Sequence, residues 1–214
     1  MTPRRITLID GHPDPDPARF IHALADSYAK GAGVAGYEVR RIVLAELEFS
    51  LLGSRHDWEG DYIDHDIRKA QDAIAWAEHL VILYPLWLGD VPALLKGFFE
   101  QVMRPGFAFE QGKGKLPAKL LKGRSALVVV TMGMPAIFYR LYYGAHSVKS
   151  LERNILKFVG ISPVQHMLIG NVEGDADTRE GWLEEMFSLG ANGPSADCAS
   201  TVTQALGSAR RTLP

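Results

Sequence analysis

The chain has one cysteine, Cys198, in 214 residues. A single thiol closes no internal disulfide, and no metal-ligand spacing surrounds it, so a disulfide-held secreted fold is unsupported and a reducing, cytoplasmic setting is the simpler expectation. A basic surplus is also missing. Lys and Arg number 23 against 25 Asp and Glu, a net charge of −2, and no basic run is long enough to offer nucleic acid a positive face. No apolar segment approaches the ~20 residues of a membrane-crossing helix, and MTPRRITLID is too briefly apolar for a signal peptide. There is no GxGxxG loop and no GxxxxGKS/T loop, which leaves dinucleotide-fold and P-loop readings without support. A GxSxG elbow for serine hydrolysis is absent too.

What remains is a chain 47% hydrophobic, long enough for one well-buried core. Apolar runs at residues 5–9, 37–44, 80–84, 125–130 and 164–169 read as strands. Between them lie segments with helical apolar spacing: Phe20, Ile21, Leu24 and Tyr28; Ile67, Ala70, Ile74 and Ala77; Leu94, Leu95, Phe98 and Val102; Val148, Leu151, Ile155 and Val159; Trp182, Met186 and Leu189. Asp16-Pro17 reads as the start of the first of these, with Asp capping the helix and Pro at its first position. The strict alternation predicts an α/β fold with a five-stranded parallel sheet, helices on both faces and the flavodoxin-like order 2-1-3-4-5. The expected division is one domain over residues 1–190 and a loosely ordered tail over 191–214, with a short helix near 203–210.

In a parallel sheet the loops after strands one, three and four share the carboxyl edge, where such folds bind ligands. They are residues 12–20, 85–92 and 131–146. The first stands at a helix N-terminus, where free N–H groups and the helix dipole suit a phosphate. Arg19 offers a positive charge there, although Asp14 and Asp16 oppose it unless they turn away. The second, PLWLGDVP, offers a flat Trp and backbone N–H groups instead of charged side chains. That suits a flat, electron-rich ring, and a flavin is the reading. Phe107 and Phe109 break the helical stripe and are candidates to line an acceptor pocket. His56, Asp57, Asp61, Asp64, His65 and Asp66 follow no recognised ligand pattern, so no metal site is expected. The irregular, apolar segment 49–62 either packs back on the domain or faces a partner subunit.

The block YPLWLGDVPALLKGFFEQVMRPGFAF closely resembles the loop–helix–loop signature of the NAD(P)H:quinone oxidoreductase family with a flavodoxin-like fold. GHPDP after the first strand, TMGM after the fourth and NILKFVGI later recur there in the same order. The resemblance implies a bound flavin (FAD favoured, FMN the alternative), NADPH or NADH as co-substrate, a quinone acceptor and a homodimer, here through residues 49–62. It also implies a second possibility, since some relatives are ancillary subunits of potassium-efflux transporters and act by binding that partner. Carried over by position, His12, Arg19, Phe20 and Ile21 fall in the phosphate loop. Pro85, Leu86, Trp87 and Leu88 fall along the ring, and Thr131, Met132, Gly133 and Met134 at its polar edge. Tyr139 and His146 fall where the family has a Tyr and a His that handle charge and protons. Two departures stand out: a guanidinium in place of the phosphate-binding hydroxyl, and methionines in a loop that is Thr-Thr-Gly-Gly in the family.

Overall fold

The five apolar runs form one parallel sheet in the computed structural model, which describes residues 5–110 and 117–194. Its strands are β1 (Arg5–Asp10), β2 (Glu38–Val43), β3 (His79–Pro85), β4 (Ser125–Thr131) and β5 (Val164–Ile169). Their spatial order is 2-1-3-4-5, every neighbouring pair parallel. Strands buried on both faces have no polar side to advertise, which is why they appear in the sequence as continuous Val/Ile/Leu runs. The two-residue pleat then sorts the side chains. Ile6, Leu8, Val81, Leu83, Leu127 and Val129 face α1 (Phe20–Val34) and the last helix, while Ile9, Ile82, Tyr84, Val128 and Val130 face the other layer. That layer holds α3 (His65–Trp76) and α4 (Ala93–Val102), preceded by the short α2 (Arg55–Glu59).

Two short helices follow β4. They are α5 (Ala136–Leu141) and α6 (His146–Ser150), the latter running on through a π-helical stretch, Leu151–Leu156, into Lys157–Val159. The last helix, α7 (Ala176–Asn192), lies against α1. Their approach is set by glycine: a Cβ on Gly31 would stand 2.0 Å from the Phe187 carbonyl oxygen, and one on Gly190 2.2 Å from that of Tyr28. The helix runs two residues past the expected domain end at 190. Residues 195–214, with Cys198 and the short helix expected near 203–210, lie outside the described residues.

Residues 44–63 fold back on the domain. Arg104, 4% exposed, holds them by donating to three backbone carbonyls. Nη1 reaches Tyr62 at 2.7 Å, Nε reaches Trp58 at 3.3 Å, and Nη2 bonds Gly60. The acidic residues that drew attention to this region have structural partners. Asp66 and Asp64 accept from the backbone N–H groups of Glu48 and Ser50, and Asp57 accepts from Gly53. Phe49 packs on Phe98, and Leu51 lies so close to Gly97 of α4 that a Cβ there would meet it at 2.3 Å.

At the opposite sheet edge, His79 opens β3 with Nδ1 2.8 Å from the Ser125 hydroxyl. Burial lowers its pKa from 6.5 to about 4. The folded state therefore holds this ring neutral, and its contribution to stability is complete above pH 6.5 and lost as pH falls toward 4. Unfolding free energy measured by denaturant titration should drop by about 3 kcal/mol across that window. His79→Asn should flatten this part of the profile.

Candidate active site at the carboxyl edge

The first loop is shaped by its own carboxylates. Asp14 accepts the Asp16 N–H at 3.0 Å, and Asp16 accepts the Ala18 N–H at 3.0 Å. These turns delay the helix, so α1 starts at Phe20 with Arg19 at the N-cap, not at Asp16-Pro17 as its sequence suggested. Arg19 is not free for a phosphate. Its guanidinium lies 2.8 Å from Asp14 and 3.4 Å from Asp16, because two acids within five residues reach it more readily than any distant anion. The Asp16 N–H and the Arg19 guanidinium hold the Asp14 carboxyl below its usual range. Ile21 is buried in the core and Phe20 half-buried, so these residues face the loop through backbone N–H groups, which no helical carbonyl reaches in a first turn.

Beneath the loop lies a cluster that sequence reading missed. Asp10, at the end of β1 and fully buried, takes Arg41 of β2 at 2.7 Å and His22 Nδ1 at 2.7 Å on the same oxygen, Oδ2. Its Oδ1 has no partner among the described residues. Arg41 also bonds Asp26, one turn beyond His22. His22 Nε2 lies 3.0 Å from the Asp14 carbonyl, and the Asp14 N–H donates to His12 Nδ1 at 3.0 Å. The His12 ring meets His22 edge-on at 5.5 Å and Trp87 at 5.8 Å. Burial and then the His22 ring lower the His12 pKa. The only hints in the sequence were an Asp ending an apolar run and a His/Asp pair one turn apart.

The second loop turns on two left-handed residues, Leu88 (φ 50°) and Gly89 (φ 83°), closed by reciprocal 3.0 Å bonds between Trp87 and Asp90. Positive φ at both central positions defines the tight type I′ turn. A leucine pays strain to sit there and stays wholly exposed. Leu86 donates to the Thr131 carbonyl at 2.8 Å, which ties this loop to the third. The Tyr143 ring stands 3.7 Å from where a Gly89 Cβ would be. In the third loop Met132 is core, Met134 half-buried and Gly133 exposed. The N–H groups of Gly133 and Met134 and the Thr131 hydroxyl make no hydrogen bond to another described residue. The expected ring-contact residues thus come together, with unspent donors beside a partly exposed Trp.

Other expected residues are placed differently. Tyr139 has no exposure; its hydroxyl is 2.6 Å from Ser147 Oγ, which also meets Tyr84 at 3.3 Å. It braces α6 from below and does not stand over an open face. His146 is exposed at the start of α6, behind left-handed Gly144 and Ala145. Phe109 is buried against Phe158 at 5.2 Å and Trp58 at 6.3 Å, in a two-stranded ribbon of Phe109–Glu110 with Ala118–Lys119, and Phe107 is half-buried nearby. Neither lines the cavity of about 400 Å³ beside the second loop. That space is walled by Trp87, Leu88, Val91, Lys96 and Leu151. Among the described residues no His, Cys, Asp or Glu group is arranged to hold a metal.

The family model described as flavodoxin-like fold matches residues 4–188. The chain belongs to this family. This flavodoxin-like protein is 25% identical to NAD(P)H dehydrogenase [quinone] 1 of Rattus norvegicus, across 91% of the chain and 80% of the relative. An FMN-dependent NADH:quinone oxidoreductase of Bradyrhizobium diazoefficiens is 32% identical over 49% of the chain and 50% of its own length. Among solved structures, an NAD(P)H:quinone oxidoreductase from Methanothermobacter marburgensis superposes with a TM-score of 0.72 at 23% identity, covering 88% of this chain and 96% of that one. The last comparison fixes the fold of the flavodoxin-like chain and nothing finer.

Proposed function

We propose that this protein is a flavin-dependent oxidoreductase that passes a hydride from NADH or NADPH, through bound flavin, to a quinone-like acceptor. The observation that carries the reading is the meeting of the three loops: His12 on Trp87, Leu86 on Thr131 and Gly89 beside Tyr143. Together they bring Trp87 and Leu86 beside the unspent N–H donors of Gly133 and Met134, which fits a fused heteroaromatic ring with one polar edge. The Bradyrhizobium relative, named FMN-dependent, moves the preferred cofactor from the FAD favoured on resemblance to FMN. The chemistry of two-electron transfer belongs to the flavin when bound.

The chain's own groups do the rest. Residues 85–88 give the ring its wall, Thr131, Gly133 and Met134 hold its polar edge, and the N–H groups of Phe20 and Ile21 receive the phosphate. His146, the exposed histidine on the third loop, takes the proton-handling role. Tyr139 positions Ser147 and the start of α6. The 400 Å³ cavity beside Trp87 accepts the apolar body of the acceptor. A homodimer is part of the proposal: Leu51 and Tyr62, 61% and 79% exposed, are the large apolar side chains that segment 49–62 leaves open to solvent.

Protein reconstituted with FMN should hold the flavin through gel filtration, show the flavin absorbance bands and oxidise NADH or NADPH only when a quinone is supplied. Absence of both binding and turnover with FMN and with FAD would sink the reading and favour the transporter-subunit alternative. Light scattering at micromolar concentration should return twice the chain mass.

A further inference from the structure

We infer that His22 is a positioning residue: a doubly donating imidazolium that pins the first loop and offsets its carboxylates so that it accepts the flavin phosphate. The inference rests on the proposed flavin reading and assigns a role to a side chain that reading leaves unused. His22 Nε2 faces the Asp14 carbonyl oxygen at 3.0 Å, and a carbonyl only accepts. His22 Nδ1 faces Asp10 Oδ2 at 2.7 Å, the same oxygen that receives Arg41 at 2.7 Å. A carboxylate oxygen already taking a guanidinium is an acceptor as well. Both ring nitrogens therefore carry hydrogen, and the ring is charged.

The charge sits where the loop lacks one. Asp14 and Asp16 flank the helix start, and Arg19, the cation the sequence seemed to provide, is engaged by both. The groups facing His22 are Asp10 from β1, Asp14 and His12 from the loop and, through Asp10, Arg41 from β2 and Asp26 from α1. His12 accepts the Asp14 N–H at Nδ1, so as a neutral ring it carries its one hydrogen on Nε2. The Asp14 backbone is thus held on both sides of its Cα by imidazoles, its N–H by His12 and its C=O by His22. Removing the His22 proton turns one ring nitrogen from donor to acceptor against an acceptor partner. That releases either the loop or the strand end, and leaves the helix start facing two carboxylates with one guanidinium.

The test compares FMN with riboflavin, which has the ring but no phosphate, by fluorescence titration of wild type and His22→Gln at mildly acidic pH. His22→Gln should bind FMN about tenfold more weakly than wild type and bind riboflavin as wild type does. An FMN-to-riboflavin ratio of the same size in the two proteins overturns the inference while leaving the flavin reading intact. Binding of neither flavin by wild type overturns both. A second measurement needs no flavin and no variant. Ring ¹⁵N shifts of His22 in the unliganded protein should show two protonated nitrogens at mildly acidic pH, and a single protonated nitrogen overturns the inference.

Discussion

Arg104→Met should lower the unfolding free energy by about 3 kcal/mol, or about 6–12 °C in melting midpoint for a chain of this size. The guanidinium is enclosed, and its partners are the carbonyls of Trp58, Gly60 and Tyr62. Methionine fills much of the same volume but donates nothing, so the loss isolates the hydrogen bonds from the packing. The damage should be local before it is global. Residues 55–63 would become the first site of proteolytic cleavage in Arg104→Met, because nothing else described pins those three carbonyls. Arg104→Lys should recover only part of the loss, since one ammonium cannot span three acceptors held in a fork. Scanning calorimetry and limited proteolysis read the two effects separately. An unchanged midpoint would mean that water satisfies the three carbonyls equally well.

The second large effect is expected at the glycine contact between α1 and α7. In Gly190→Val the Cβ alone would stand 2.2 Å from the Tyr28 carbonyl oxygen and 2.8 Å from the Ala32 nitrogen. Both neighbours are helical backbone and cannot rotate away, so the helices must part. A cost of about 3 kcal/mol or more follows from overpacking a site that has no soft side to yield. Gly181, on the same helix with open space around it, supplies the control: Gly181→Ala should be neutral or stabilise by up to about 1 kcal/mol. The functional consequence distinguishes this substitution from ordinary destabilisation. α1 carries the first loop and His22 at its other end, so a tilt of α1 should weaken FMN binding at temperatures where Gly190→Val is still folded.

The sheet was legible because its signal is local and strong. Five apolar runs separated by helical spacing leave few arrangements, and the observed strands differ from the expected ones by a residue or so at their ends. The second loop was legible for a similar reason, since Pro, Trp and Gly in that order leave little conformational choice. The first loop misled because three charged residues within six positions have several ways to pair, and only the folded backbone decides among them. Arg19 therefore looked free and is not. The Asp10–His22–Arg41 cluster was invisible because its members are 12 and 31 positions apart and each alone looks ordinary. Tyr139 and Phe109 show another limit. Aromatic residues in a loop read equally well as walls of a pocket or as parts of the core, and both turned inward here.

The three loops hang from β1, β3 and β4, the middle strands of the sheet, whose interiors are sealed from solvent. Exchange of amide hydrogens for deuterium ranks sites by how rarely they open. In this molecule the slowest-exchanging amides should therefore sit at Leu83 and Val129. Some of the fastest should lie only a few residues along the chain, at Leu88 and Gly133. A ligand bridging the loops would then slow exchange at their tips and change almost nothing at their roots.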